Sequence, residues 1–289
     1  MVSTRESKYL DVIFITVCIV IIIVCLLPMV TLLARSVSSP EYLIRNQVTL
    51  WPKGFTLDAY RYVLTDSKYT WSLLWTTMLT VAGTLLSLFM TTLAAFPLTY
   101  DKLKGRTIIS SLILFTMYFN AGTIPMYLLL KDIGLLNKPL VLIVPYCLSV
   151  FNLILMRNYF YTIPASLRES AEMDGAGPVR ILLSIYIPLS APIIATLALF
   201  YAVGRWNGFS DALMFMNKRE YFPIQLLLYN LINAVSSLET YSTEGFTQPG
   251  LSESLKAAAI MFATIPILFV YPWLQKYFIQ GVTLGAIKE

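Results

Sequence analysis

From Val12 to Leu33 no charged side chain interrupts the chain. At a rise of 1.5 Å per residue, about 22 residues of helix reach roughly 33 Å, enough to cross a hydrocarbon core of about 30 Å. The stretch is longer than the core of a secretion signal and lacks a small-residue cleavage site, so it reads as an uncleaved anchor. Five more apolar segments follow, at about 71–98, 108–130, 140–160, 185–203 and 257–277. Of the 289 residues 57% are hydrophobic and 13% charged, against about 25% charged in soluble domains. Too little charge is present to cover a water-facing surface. The predicted fold is an all-α integral membrane protein with six transmembrane helices, forming a single domain over 1–289.

The same composition excludes several chemistries. The chain holds no histidine, which removes His-based zinc motifs, imidazole bases and His proton relays. Cys18, Cys25 and Cys147 fall within apolar stretches and read as small hydrophobes rather than as a disulfide or metal site. The net charge of +5 is spread through the loops and forms no tract, so no nucleic-acid partner is expected. Prolines fall within the spans at Pro28, Pro125, Pro145, Pro192, Pro266 and Pro272, and kinks are expected there. Membrane helices tolerate them because neighbouring groups re-satisfy the freed carbonyls.

The short turn Asp101-Lys102-Leu103-Lys104-Gly105-Arg106 carries three basic residues, the mark of a cytoplasmic loop. Counting spans from it places both termini, and the segment 161–184, on the cytoplasmic side. Segment 35–70 becomes an external loop with a turn at Pro52-Lys53-Gly54 and a short amphipathic helix over 57–64. Segment 235–254 reads as an exposed loop.

The stretch from Ile163 to Pro188 is the most informative. Pro164 and Ser166 can start a helix. Leu167, Ala171 and Met173 give it a partly apolar face, and Arg168, Glu169, Glu172 and Asp174 give it charge. Gly175, Gly177 and Pro178 stop it, and a second helix runs to Pro188. A projecting helix of this kind suits docking into a partner's groove. The competing reading, a helix lying on lipid headgroups, is disfavoured. The helix lacks a basic polar face, and an anionic leaflet would repel its acids.

Glu169-Ser170-Ala171, Gly175 and Ile185-Tyr186-Ile187-Pro188 resemble a motif of the permease subunits of bacterial ABC importers: Glu-Ala-Ala, three residues, Gly, nine residues, Ile-x-Leu-Pro. The departures are Ser170 and Ile187; Asp174-Gly175-Ala176 adds to the likeness. The resemblance implies a type I importer fold in which the loop at 163–188 forms a coupling helix seated in an ATPase subunit. It assigns Glu169, Ser170, Ala171, Asp174, Gly175 and Ala176 to ATPase contact or coupling. It further implies a second homologous permease subunit, two ATPase subunits, an extracytoplasmic solute-binding protein, and a place in the bacterial cytoplasmic membrane.

The six-span layout and the tail Gly281-Val282-Thr283-Leu284-Gly285-Ala286-Ile287-Lys288 resemble the smaller permease of carbohydrate importers of the maltose type. Tyr118-Phe119-Asn120-Ala121-Gly122-Thr123-Ile124-Pro125, with Gly134-Leu135-Leu136-Asn137, resembles permeases for oligosaccharides from complex, often acidic polysaccharides. Ser36-Val37-Ser38 and Trp51 to Tyr60 fit the same group. The cargo so implied is an oligosaccharide, with uronate-containing ones of alginate or pectin type included.

Polar groups in or beside spans usually face a cavity or another helix. Asn120, Thr123, Asn152, Arg205, Trp206 and Asn207 are therefore candidate path residues, with helix–helix hydrogen bonding as the competing role for the asparagines. Arg205 could attract a uronate carboxylate. An intramembrane enzyme would need a nucleophile–base set or paired acids within spans, and none is evident. An ion-driven transporter would show inverted repeats with buried acids, and these are also missing. Another small solute in place of sugar stays open. No P-loop occurs, so ATP and Mg²⁺ are expected in a partner and no cofactor in this chain.

Overall fold

The computed structural model describes residues 5–241 and 253–270. The tail 281–288 and residues 271–277 of the sixth predicted span lie outside the described residues. Among the described residues the structure is helical, with one isolated bridge between Ser38 and Phe55. The chain divides into two compact units. One is Met1–Thr70 with Leu227–Pro266, and the other is Trp71–Leu226 with Ile267–Glu289.

In the first unit, α1 (Arg5–Ser36) contains the first predicted span and passes through Pro28 unbroken. From Val12 to Leu33 most of its apolar side chains are exposed, and Ala34 near its end is buried. A short α2 (Pro40–Ile44) follows. The predicted turn is present, with Gly54 at φ +62, and the bridge to Ser38 returns the chain to the end of α1. The expected amphipathic helix is α3 (Asp58–Thr65), which buries Ala59 and Val63, one turn apart, on one face. Tyr60 Oη meets Ser36 Oγ at 2.9 Å, and Arg35 pairs with Glu253 at 2.7 Å.

In the second unit the packing logic is that of lipid rather than water. The helix α4 (Ser67–Ala95) buries Ser72, Thr76, Leu79, Gly83, Ser87, Thr91 and Ala95, a stripe three or four residues apart. Its large apolar side chains, such as Leu74, Met78, Val81, Leu85 and Phe89, face outward. Small residues let helix backbones approach where lipid supplies no hydrophobic drive for association. The start of α4 also carries donors. Trp71 Nε1 and Trp75 Nε1 each donate at 2.8 Å, to the carbonyls of Glu220 and Tyr221. The Ile224 N–H donates to Thr76 Oγ1 at 2.8 Å.

Three predicted spans are broken rather than straight. The segment at 108–130 divides into α5 (Arg106–Tyr118) and α6 (Thr123–Asp132), bent by 115°. The cause is local. Gly122 adopts φ +88, Asn120 Oδ1 accepts the Gly122 N–H at 2.9 Å, and Pro125 restricts the first turn of α6. The segment at 140–160 consists of the 3₁₀ turns Pro139–Leu142 and Val144–Tyr146, then α7 (Val150–Phe160), bent by 48°.

After the short α8 (Ala165–Met173), α9 (Pro178–Ile181) passes through a π turn, Leu182–Tyr186, into α10 (Ile187–Leu189). Pro188 has no N–H for the Ser184 carbonyl, and the turn widens so that the Ile187 N–H reaches Leu182 O. An 83° bend leads into α11 (Ala191–Asn207), with Pro192 in its first turn.

Then come α12 (Ser210–Phe215) and α13 (Ile224–Tyr241). The expected exposed loop over 235–254 is corrected in part. Residues 235–241 continue α13, and α14 (Glu253–Val270) has begun by Glu253. Among the described residues three helices are long and apolar enough to cross a membrane, and counting each bent pair as one span brings the total to six.

Candidate functional site

The loop between the fourth and fifth apolar segments folds as its residues dictate. Pro164 stands at the N-cap of α8 in extended backbone. At the other end the Gly175 N–H donates to Glu172 O at 3.0 Å and the Ala176 N–H to Ala171 O at 2.9 Å. Those two bonds make a Schellman cap, which requires the left-handed φ of +78 that Gly175 adopts. The break at Gly175 therefore has a defined geometry.

The face that α8 presents is mixed. Leu167, Glu169, Ser170, Met173 and Asp174 are exposed, Met173 at 88%. Ala171 and Ala176 turn inward and pack against a core that includes Phe96, Met156, Phe160, Ile181 and Tyr186. Of the residues expected to contact an ATPase, Glu169, Ser170, Asp174 and Gly175 are available on the surface, while Ala171 and Ala176 seat the helix on the body. Arg168 lies over the Tyr100 ring, with Cζ 4.7 Å from its centroid, and its Nε is 3.7 Å from Glu172 Oε1. Burial, and after it the Glu172 carboxylate, raise the Tyr100 phenol above its usual pKa against the pull of Arg168. Neither Arg168 nor Tyr100 stands out in the sequence, because their partnership joins residues far apart in the chain.

The predicted path residues separate into two places. A cavity of about 470 Å³ is lined by Ser87, Tyr146, Ser149, Asn152, Tyr201, Arg205, Asn207 and Asp211, among others. A second, of about 460 Å³, lies at the break between α5 and α6 and is lined by Asn120, Thr123, Pro125, Tyr146 and Phe215 among others. Tyr146 borders both. Trp206 is buried and is not among the residues lining either cavity. Asn207 donates through Nδ2 to Val203 O at 2.9 Å, within its own helix. Tyr201 Oη accepts the Ser149 N–H at 3.1 Å and meets Thr91 Oγ1 at 2.7 Å.

Arg205, read from the sequence as a candidate partner for a cargo carboxylate, lines the first cavity and already has partners within the chain. Nη1 donates to Asp211 Oδ2 at 2.5 Å and to Leu142 O at 2.7 Å, and Nη2 donates to Asp211 Oδ1 at 3.0 Å. The two side chains are 11% and 10% exposed. A guanidinium this buried must be neutralised nearby, and Asp211 supplies that charge from within the chain. Among the described residues no His/Cys/Asp/Glu group is arranged to hold a metal ion.

Residues 80–284 match the family described as binding-protein-dependent transport system inner membrane component. The chain belongs to this family. It is a membrane-spanning permease of the ABC importer type. It is 40% identical to the polygalacturonan/rhamnogalacturonan transport system permease protein YtcP of Bacillus subtilis, over 92% of this permease and 93% of that protein. Protein LplC of the same organism is 39% identical, over 92% and 90% of the two chains. Among solved structures, a chain of a bacterial ABC transporter involved in the import of the acidic polysaccharide alginate superposes with a TM-score of 0.85. It is 33% identical, over 96% of this permease and 99% of that chain. A bacterial alginate ABC transporter in complex with an alginate pentasaccharide-bound periplasmic protein shares the fold at 18% identity and a TM-score of 0.60.

Proposed function

We propose that this permease is one half of a transmembrane pathway for oligosaccharides, uronate-containing ones included, and that a separate ATPase drives it through α8. The observation that carries the reading is the surface of α8. Exposed Met173 stands one turn after exposed Glu169, on the same face of a capped helix between two spans. An apolar anchor beside an acid suits a groove that offers an apolar pocket and a basic residue. The substrate class rests on relatives whose names specify polygalacturonan/rhamnogalacturonan and alginate.

In this reading a second, homologous permease completes the path, and two ATPase subunits bind ATP and Mg²⁺. An extracytoplasmic binding protein delivers the cargo. Both termini and α8 face the cytoplasm. Closure of the ATPase dimer draws the two coupling helices together and turns the path outward, and ADP release reverses it. The cavity beside Asn152 and Tyr146 offers hydroxyl and amide groups to a polyol, and its guanidinium is already neutralised.

The test is reconstitution of the importer in proteoliposomes with its binding protein and labelled oligogalacturonate or oligoalginate. The expected result is ATP-dependent uptake that a Glu169→Ala/Gly175→Leu variant abolishes while ATP hydrolysis continues. Unchanged uptake in that variant would refute the role of α8. Uptake of neither oligosaccharide, with ATPase coupling intact, would refute the substrate class alone.

A further inference from the structure

Within α8 only Arg168 and Ala171 are not exposed. Ala171 offers a single methyl to the body. Arg168 is the one long side chain of the helix that grips it, at 15% side-chain exposure, with its guanidinium on the face of Tyr100. Tyr100 in turn belongs to an aromatic cluster. Its ring meets Phe96 edge-on at 5.2 Å, Phe96 meets Tyr186 at 4.9 Å and Phe160 at 6.5 Å, and Phe160 meets Tyr186 at 5.2 Å. Each ring stands at a different structural junction. Phe96 follows the last residue of α4, Phe160 ends α7, and Tyr186 closes the π turn.

We propose that Arg168 and Tyr100 are positioning residues that pass the displacement of α8 to the ends of α4 and α7 and to the π turn. The proposal rests on the reading of α8 as the ATPase contact. A methyl contact can slide, whereas a guanidinium held over a ring and beside Glu172 resists both sliding and tilting. Close-packed side chains transmit strain instead of absorbing it, and the edge-to-face rings carry it onward to three elements. The Tyr100 hydroxyl is buried and has no hydrogen-bond partner among the described residues. The ring face, and not the hydroxyl, is therefore the working part. Phenylalanine at this position keeps the joint, and leucine, of similar apolar character but without a π face, removes it.

The experiment uses the complete importer, with Cys18, Cys25 and Cys147 replaced by Ala and spin labels at Ser166→Cys and Lys102→Cys. Both label sites are exposed. Distances between the labels are measured without nucleotide and after trapping with ATP and vanadate. In the parent protein and in Tyr100→Phe the distance is expected to be the same in both states, since the helix and the Tyr100 turn move as one body. In Tyr100→Leu and Arg168→Gln it is expected to shift or broaden on trapping, with Arg168→Lys intermediate. An unchanged distance in Tyr100→Leu, or an equal change in Tyr100→Phe, overturns the proposal. Failure of the underlying reading is separate. In that case hydrogen exchange at the α8 amides is the same with and without the ATPase, in every variant.

Discussion

Replacing Gly175 by alanine tests whether the break after α8 is a designed stop or a loose end. At Gly175 φ is +78, and a Cβ built there would meet nothing within 4 Å. No steric overlap contributes, so the whole cost is that of holding an L-residue in left-handed backbone, about 1–2 kcal/mol. That cost falls on the cap formed by the Gly175 and Ala176 N–H groups with Glu172 O and Ala171 O. Hydrogen exchange at these two amides is the direct assay. Opening should become roughly 5- to 30-fold more frequent for a loss of this size. Asparagine, which visits the left-handed region more readily, should fall between glycine and alanine. Gly177 is the internal control. Its φ is −72 and its surroundings are equally open, so Gly177→Ala should leave exchange unchanged. Equal effects at the two glycines, or no effect at Gly175, would refute the account of the cap.

Arg205→Ala should destabilise the protein by about 3–5 kcal/mol by stranding the buried Asp211 carboxylate. The double change Arg205→Met/Asp211→Leu should recover most of that, read as the thermal midpoint in detergent. Thr76→Val leaves the Ile224 N–H without its acceptor and should cost about 1–3 kcal/mol in the same assay, while Thr76→Ser should be close to neutral. Gly54→Ala should be worse than Gly105→Ala. Both positions are left-handed, but a Cβ at Gly54 would lie 2.8 Å from Ser39 Cβ while one at Gly105 meets nothing. Yield of folded protein and proteolysis of the 36–57 segment should rank them in that order.

The straight spans were legible because lipid solubility is read residue by residue. Val12 to Leu33 needs no partner to be apolar. The α8 unit was legible for a related reason, since Pro164, Gly175 and Pro178 act on their own backbone. The broken spans were legible only in part. Pro125, Pro145 and Pro192 lie near breaks of 115°, 48° and 83°, yet Pro28 sits in an uninterrupted α1. A proline permits a break, and it takes a neighbour such as Gly122 at φ +88 to make one. The loop expected over 235–254 is helical at both ends, at 235–241 and 253–254, because the apolar helices α13 and α14 extend into its polar composition, and 242–252 lie outside the described residues.

The sequence by itself determined the solvent of this protein, the membrane, and the place of the short capped helix α8, since hydropathy, proline and glycine act locally and add along the chain. Tertiary structure alone decided how charge is disposed within it. Arg205 reads as a free cation until folding brings Asp211 and the Leu142 carbonyl to it. Arg168 reads as one more loop charge until folding lays it on Tyr100. The energy of a buried charge depends on what stands within a few ångströms of it. Tyr100 and the Leu142 carbonyl come from distant segments, and Asp211, six residues beyond Arg205, is brought back to it by the turn after α11.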